Sequence, residues 1–239
     1  MILRTQSFPS IYLPNPFTQT DMVRFFERIK NNWLPYFIKA ADVTGLPLSL
    51  LVAKAAVESG GNQKTPNTSY VGLMQVGKMT VAACLDYLQG TMYADGKKWS
   101  APAAVVAKAV PIVRTSFPAF GKGGKVHPDA AFALAKSDTA KGAEFNVLIG
   151  ALYLQFLCQH PKFIDGDIVR LDKIMSAYNT GPNYSFYNVP VADTGSLVNI
   201  IRQSRLSASK KRETSRHILK FCGQGGAFDL LFNHKYRLT

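Results

Sequence analysis

Glu58 is the residue whose position best suits acid chemistry. It ends an apolar run that predicts a buried helix over residues 48–58. A carboxyl group is rarely placed at the end of a buried helix unless it is paired or used. Burial and the negative pole of the helix dipole both favour the protonated acid, the form that donates a proton. The position therefore indicates a general acid; the alternative is a solvated glutamate at a helix end.

Polar segments that could bind a substrate follow Glu58 along the chain. They are Glu58-Ser59-Gly60-Gly61-Asn62, Ser69, Gly72-Leu73-Met74-Gln75-Val76, the helix-like stretch that begins at Asn146 and contains Gly150, and Ala177-Tyr178-Asn179-Thr180-Gly181-Pro182. Singly, each has a structural explanation. Met74 suits core packing, Gly72 a close backbone approach, and Tyr178 a buried aromatic position.

In this order the segments resemble the soluble lytic transglycosylase family, over roughly residues 38–90 and 142–188. The resemblance implies a lysozyme-like bundle of helices with a substrate groove. It also implies cleavage of the β-1,4 bond between N-acetylmuramic acid and N-acetylglucosamine in peptidoglycan, leaving 1,6-anhydromuramyl ends. Glu58 would be the sole acid and base: it would protonate the glycosidic oxygen and then take the proton of the C6 hydroxyl group.

The resemblance also assigns substrate-binding roles. Ser69 and Gln75 match positions that contact the sugar or its N-acetyl group. Gly72 and Met74 belong to the same block as Gln75 and are counted with the predicted substrate-binding residues. Tyr178 and Asn179 match the wall that faces the acid. The substrate's own N-acetyl group would serve as the nucleophile, which agrees with the lack of a second acid close to Glu58 in the sequence. No cofactor and no metal are implied.

Two other functions remain open. Goose-type lysozymes share the fold but hydrolyse the bond with extra acids, and Asp86, Asp95 and Asp129 are candidates if the segment around 90–141 folds over the cleft. A catalytically inactive scaffold protein of a phage or secretion assembly is the other alternative. The retained Glu58 and Tyr178 argue against a scaffold.

The charge of the chain favours anionic partners. Its 28 Lys+Arg against 15 Asp+Glu give a formal net charge of +13, which suits nucleic acid, anionic lipid or the acidic polymers of a bacterial wall. The basic stretch 202–220 contains no phosphate-binding loop, recognition motif or zinc spacing. Nucleic acid is therefore not expected as a partner, and the resemblance implies glycan strands of peptidoglycan instead. Cys84, Cys158 and Cys222 have no metal-site or disulfide spacing and are expected to be buried.

Helical periodicity predicts a mainly α protein. We divide it into an extended N-terminal arm (1–20), a lysozyme-like transglycosylase domain (21–190, with an insertion at about 90–141) and a basic helical C-terminal extension (191–239). The predicted helices start at Asp21 and end or kink at Pro35, and further helices are expected over about 48–58, 72–88, 103–113, 129–135, 141–159, 168–178, 194–207 and 210–222.

The N-terminus lacks the charged segment followed by an apolar segment that is typical of a secretory signal. No stretch is apolar enough for a membrane span. An enzyme for periplasmic glycan then needs another route of delivery. We expect a virion-associated protein that opens the wall locally when a bacteriophage particle delivers it; a phage endolysin released through a holin and a component of a secretion apparatus are the alternatives. The N-terminal arm and the basic C-terminal helices would dock it to proteins of the particle or of a wall-spanning assembly.

Overall fold

The computed structural model describes residues 18–64, 68–191, 193–223, 225–232 and 236–238, so residues 1–17 of the predicted N-terminal arm lie outside them. The mainly α class is confirmed. The helices are α1 (Gln19–Asn32), α2 (Leu34–Thr44), α3 (Leu48–Ser59), α4 (Lys78–Gln89), α5 (Ala103–Arg114), α6 (Pro128–Lys136), α7 (Ala140–Gln159), α8 (Leu171–Thr180), α9 (Thr194–Gln203), α10 (Ala208–Cys222) and α11 (Ala227–Phe232). Across these ranges no helix has the length and hydropathy that crossing a membrane requires.

Short strands form three antiparallel pairs in the described chain. The pairs are β1 (Tyr70–Val71) with β2 (Val76–Gly77), β3 (Met92–Ala94) with β4 (Lys97–Trp99), and β5 (Ile164–Asp165) with β6 (Ile168–Val169). In the β3–β4 turn, Asp95 and Gly96 adopt φ values of +51° and +71°, as a two-residue hairpin loop requires. Strands of two or three residues leave no alternating pattern in a sequence, which is why none was expected.

The described residues form two compact units. The first unit is Phe25–Tyr153, and the second combines 18–24 with 154–238. Within the first unit α3 packs beside α2, and α4 contacts α5 and α6. Within the second unit α10 packs against α8, α9 and α11. The domain division drawn from composition stays a prediction.

Two helix predictions were wrong at their N-terminal ends. The helix expected from Gly72 to Leu88 begins at Lys78, because the residues before it form the β1–β2 hairpin. The helix expected from Ile168 begins at Leu171, because Ile168 belongs to strand β6. In both places apolar residues of a short strand continue the apolar pattern of the following helix, so periodicity alone cannot separate the two elements.

The first helix is also bounded differently from the prediction. It begins at Gln19, and Asp21 is the reciprocal partner of a cap formed by Thr18. Asp21 N donates to Thr18 Oγ1 at 3.1 Å, and Thr18 N donates to Asp21 Oδ2 at 3.2 Å. The expected break near Pro35 is present, since α1 ends at Asn32 and α2 begins at Leu34. Pro35 lies in the first turn of α2, where a missing N–H leaves no hydrogen bond unmade.

The three cysteines are buried, as expected. Burial raises the pKa of the Cys158 thiol to about 12 and also raises that of Cys84 well above its ordinary value. A thiol in such surroundings stays protonated, and the protonated thiol is the unreactive form. Both residues therefore behave as small apolar side chains of the core.

Candidate functional site

Helix α3 holds Glu58 in its last turn. The helix begins at Leu48, and its residues 50–57 are all buried. It ends where Gly60 adopts a φ of +60° and donates its N–H to the carbonyl oxygen of Ala56. A helix that is apolar on nearly every side forms only inside a protein. Glu58 is therefore fixed on a rigid, enclosed element instead of a surface loop.

Lys54 pairs with Glu58 one helical turn away. Lys54 Nζ forms an ion pair with the Glu58 carboxylate, and the two side chains are 0% and 11% exposed. The ammonium group stabilises the carboxylate form of Glu58 and opposes burial and the helix dipole, which favour the acid. Sequence reasoning missed Lys54. A lysine four residues before a glutamate in an apolar helix is nevertheless a visible signal.

The backbone after Glu58 is held by close packing on α1. A Cβ atom at Gly60 would lie 3.0 Å from the Phe25 ring, and one at Gly61 would lie 2.8 Å from Ile29 Cγ1. The carbonyl oxygens of these two glycines accept hydrogen bonds of 3.1 Å from Arg28 Nη1 and Trp33 Nε1. Both glycines have positive φ as well. The Gly-Gly pair is therefore required both by backbone conformation and by the approach of the two helices.

Ser59 joins the end of α3 to the β1–β2 loop. Its Oγ donates to the carbonyl oxygen of Leu73 at 2.9 Å and accepts from Gly61 N at 3.2 Å. The buried Gln63 side chain holds the same loop, since its Oε1 accepts from Leu73 N at 3.1 Å. The residue directly after Glu58 thus ties the candidate acid to the loop that carries Gln75.

Asn146 on α7 anchors this loop from the other side. Its Oδ1 accepts from Met74 N at 2.8 Å, and its Nδ2 donates to the carbonyl oxygens of Val71 at 2.8 Å and Ala135 at 3.2 Å. A Cβ atom at Gly72 would lie 2.1 Å from Asn146 Nδ2, so only glycine leaves room for the amide. Gly72 also has a φ of +73°. The close contact with Asn146 therefore explains why residue 72 is a glycine.

Met74 and Gly150 form the apolar part of the same anchor. Met74 is 0% exposed, and a Cβ atom at Gly150 would lie 2.4 Å from Met74 Cβ. The loop can lie this close to α7 because Gly150 has no side chain. Met74 thus packs in the core, which was the structural explanation offered by the sequence.

Gln75 and Ser69 lie at the more accessible part of the hairpin. Gln75 is half-buried, and its Nε2 donates to the carbonyl oxygen of Gly72 at 2.7 Å. Its φ of +47° is uncommon for a residue with a side chain and marks local strain, which tends to occur at functional sites. Ser69 is exposed.

Replacing Asn146 with alanine should lower the free energy of unfolding by about 2–4 kcal/mol. The change removes the amide that bonds the buried Met74 N–H and the Val71 carbonyl group, whereas the Ala135 carbonyl group still accepts from Gln63 Nε2. Urea denaturation of the wild type and the variant measures the loss. The exposed Asn183→Ala is the matched control and should change stability little. A loss below about 1 kcal/mol would show that Asn146 is not the anchor of the loop.

Tyr178 and Asn179 lie in the last turn of α8, in the second unit. Both are half-buried. Asn179 Oδ1 accepts a 2.5 Å hydrogen bond from Lys210 Nζ, so a residue of the basic C-terminal stretch holds the candidate substrate residue. Lys210 was not among the predicted site residues. It is separated from Asn179 by thirty-one positions, and no local pattern connects the two.

Tyr187 fixes the turn that follows Tyr178 and Asn179. Its hydroxyl group lies 2.7 Å from both Ser176 Oγ and Thr180 Oγ1. Burial raises the pKa of Tyr187, so the hydroxyl group keeps its proton and serves as a hydrogen-bonding group. Tyr187 therefore connects the Ala-Tyr-Asn-Thr-Gly segment to the core of the second unit.

The three aspartates considered for water activation are all exposed. The hydrogen bond from Lys78 lowers the pKa of Asp129, so this carboxyl group is ionised at neutral pH. Asp86 Oδ1 accepts from Thr91 Oγ1 at 3.3 Å. Within the described ranges, no three side chains of His, Cys, Asp or Glu gather in a way that could hold a metal ion.

The structure thus divides the predicted site residues between the two units. Glu58, Ser69, Gly72, Met74 and Gln75 belong to the first unit, where Ser59 and Asn146 tie the acid-bearing helix and the loop together. Tyr178 and Asn179 belong to the second unit. When the chain is compared with models of known protein families and with curated protein sequences, it matches none of them.

Proposed function

We propose that the chain cleaves the glycan strand of peptidoglycan between N-acetylmuramic acid and N-acetylglucosamine, with Glu58 as the only acid and base. The observation that supports this most is the buried Lys54–Glu58 pair at the end of α3. A charged pair enclosed in an apolar helix stabilises a fold no better than apolar residues of the same volume would. Such a pair is more typical of a site that uses the carboxyl group.

The chemistry requires Glu58 to work in both protonation states. As an acid, it donates its proton to the glycosidic oxygen while the N-acetyl oxygen of the muramic acid forms a bond to C1. As a carboxylate, it takes the proton of the C6 hydroxyl group when O6 displaces the N-acetyl oxygen. The proton returns to Glu58 and no water is consumed. Lys54 supports the second step, because its ammonium group stabilises the carboxylate that the first step leaves behind.

A structural protein without activity is the second candidate. The same Lys54–Glu58 contact supports it, since a buried lysine needs a carboxylate partner even where no reaction takes place. The two candidates differ in a measurable way. A structural pair predicts that purified protein releases nothing from peptidoglycan, whereas a catalytic pair predicts soluble fragments.

Cleavage of chemically de-N-acetylated peptidoglycan tests the proposed function. Purified protein should release soluble fragments from native strands and cleave the de-N-acetylated strands at least about 10²-fold more slowly, because the intramolecular nucleophile is missing. Re-N-acetylated strands serve as the control and should be cleaved at the native rate. Equal rates on all three substrates would exclude participation of the N-acetyl group and favour hydrolysis by an activated water.

A further inference from the structure

A cavity in the second unit combines an aromatic surface with basic side chains. Its volume is about 890 Å³, and its walls come from residues 184–189 and from the end of α9 to the start of α10. Tyr184 is 39% exposed, and its ring stacks on that of Phe186 with 5.3 Å between centroids and 18° between planes. Phe186 is buried against Tyr187, with their ring centroids 4.5 Å apart. The Tyr184 ring is thus a fixed, accessible surface on which a ligand ring can stack.

The charge on the cavity walls is positive. Arg205 and Lys210 line it, and none of its described lining residues is acidic. Glu213 contacts Lys210 Nζ at 3.3 Å from outside the lining and offsets part of that charge, so Arg205 contributes most. Ser185 and Gln203 complete the polar part of the lining, together with Ser204 and Ser207, whose hydroxyl groups already bond to the backbone. A ligand that fills the cavity therefore has a ring face, hydrogen-bonding groups and a negative charge.

Lys210 connects this cavity to the predicted substrate segment. It lines the cavity and also donates a 2.5 Å hydrogen bond to Asn179 Oδ1. Lys210 therefore joins the wall of the cavity to the end of α8, although Asn179 itself does not line the cavity.

We propose that the cavity binds an N-acetylated sugar that bears a peptide with a free carboxylate, as the muramic acid residues of the glycan strand do. The sugar stacks on Tyr184, its hydroxyl and amide groups pair with Ser185 and Gln203, and a carboxylate of its peptide binds Arg205. This inference rests on the proposed function and adds a binding site for the strand. A nucleic acid is less favoured, because the cavity offers one aromatic surface and no row of cations for successive phosphates.

Isothermal titration with three probes tests the proposal. The probes are the GlcNAc–MurNAc disaccharide peptide, which lacks the bond proposed to be cleaved, a neutral chitooligosaccharide, and a single-stranded oligonucleotide. The disaccharide peptide should bind best. Tyr184→Ala should weaken its binding by roughly 3–10-fold and Arg205→Gln by about 5-fold or more, whereas Tyr184→Phe should leave it nearly unchanged.

Arg212→Gln is the matched control, because Arg212 is an exposed cation of the same basic stretch that does not line the cavity. An equal loss in Arg212→Gln and Arg205→Gln would overturn the proposal and indicate general charge attraction. Equal binding of the neutral chitooligosaccharide, or tighter binding of the oligonucleotide, would also overturn it. Binding without any cleavage of peptidoglycan would uphold the cavity and reject the proposed function. Cleavage of peptidoglycan with no effect of Tyr184→Ala or Arg205→Gln on binding would uphold the proposed function and reject the cavity as a binding site.

Discussion

Replacing Glu58 with glutamine should slow the cleavage of peptidoglycan by about 10²–10⁴-fold, the usual contribution of a general acid and base. Glutamine keeps the shape of the side chain but can neither donate an acidic proton nor accept one. The rate of fragment release from purified peptidoglycan measures the effect. Glu144→Gln is the matched control in the same unit: it removes a carboxylate that pairs with Lys39 at 2.5 Å, and it should leave the rate unchanged.

The Glu58→Gln variant also leaves the Lys54 ammonium group buried without its carboxylate, which could unfold part of the protein. The double variant Lys54→Met/Glu58→Gln removes both charges and separates the two effects. It should be well folded by circular dichroism and as inactive as Glu58→Gln. Cleavage by this double variant at close to the wild-type rate would reject Glu58 as the acid.

Replacing Lys54 with methionine should lower the free energy of unfolding by about 3–5 kcal/mol at neutral pH. Methionine fills nearly the same volume, so packing is retained while the Glu58 carboxylate is left without its buried partner. Adding Glu58→Gln should recover most of the loss, because no uncompensated charge then remains. Urea denaturation of the two single variants and the double variant gives the coupling energy directly.

Lys39→Met is the control for that experiment. Lys39 pairs with Glu144 on the surface, where its side chain is 51% exposed, and such a pair contributes about 0–1 kcal/mol. If Lys54→Met costs no more than Lys39→Met and shows no coupling to Glu58, the buried pair contributes nothing to the fold. Lys54 would then not be the residue that holds Glu58 in place.

The helices could be predicted from sequence where their own residues decide the structure. The apolar run that ends at Glu58 predicted α3 to within one residue of its end, and the periodicity around Phe145 and Phe156 predicted α7 almost completely. In both helices the burial of an apolar surface agrees with local helix propensity. The mainly α class followed from these segments.

The hairpin at 70–77 could not be predicted, because distant residues determine it. Its strands have two residues each, and its loop is held by Asn146, seventy-two positions after Met74. The apolar periodicity of residues 72–77 predicts the first turns of a helix and not a loop. The resemblance placed Gly72 and Met74 in one motif, but their shared contact with α7 became visible only in the structure.

Lys54 and Lys210 were missed for a different reason. A lysine is usually exposed, so neither a single lysine in an apolar run nor one of several in a basic stretch is recognisable as a site residue. In the structure Lys54 is buried beside Glu58, and Lys210 donates a hydrogen bond to Asn179. The sequence suggests candidate site residues, but it does not show which cations lie beside them.

Mass spectrometry of the fragments that wild-type protein releases from purified peptidoglycan, with Glu58→Gln run in parallel, decides whether Glu58 catalyses the proposed reaction. We expect 1,6-anhydromuramyl ends, lighter by one water than hydrolysed ends, from the wild type alone. Reducing muramyl ends would contradict this expectation and place Glu58 in a hydrolase. No fragments from either protein would contradict it as well, and would leave Glu58 as the structural partner of Lys54.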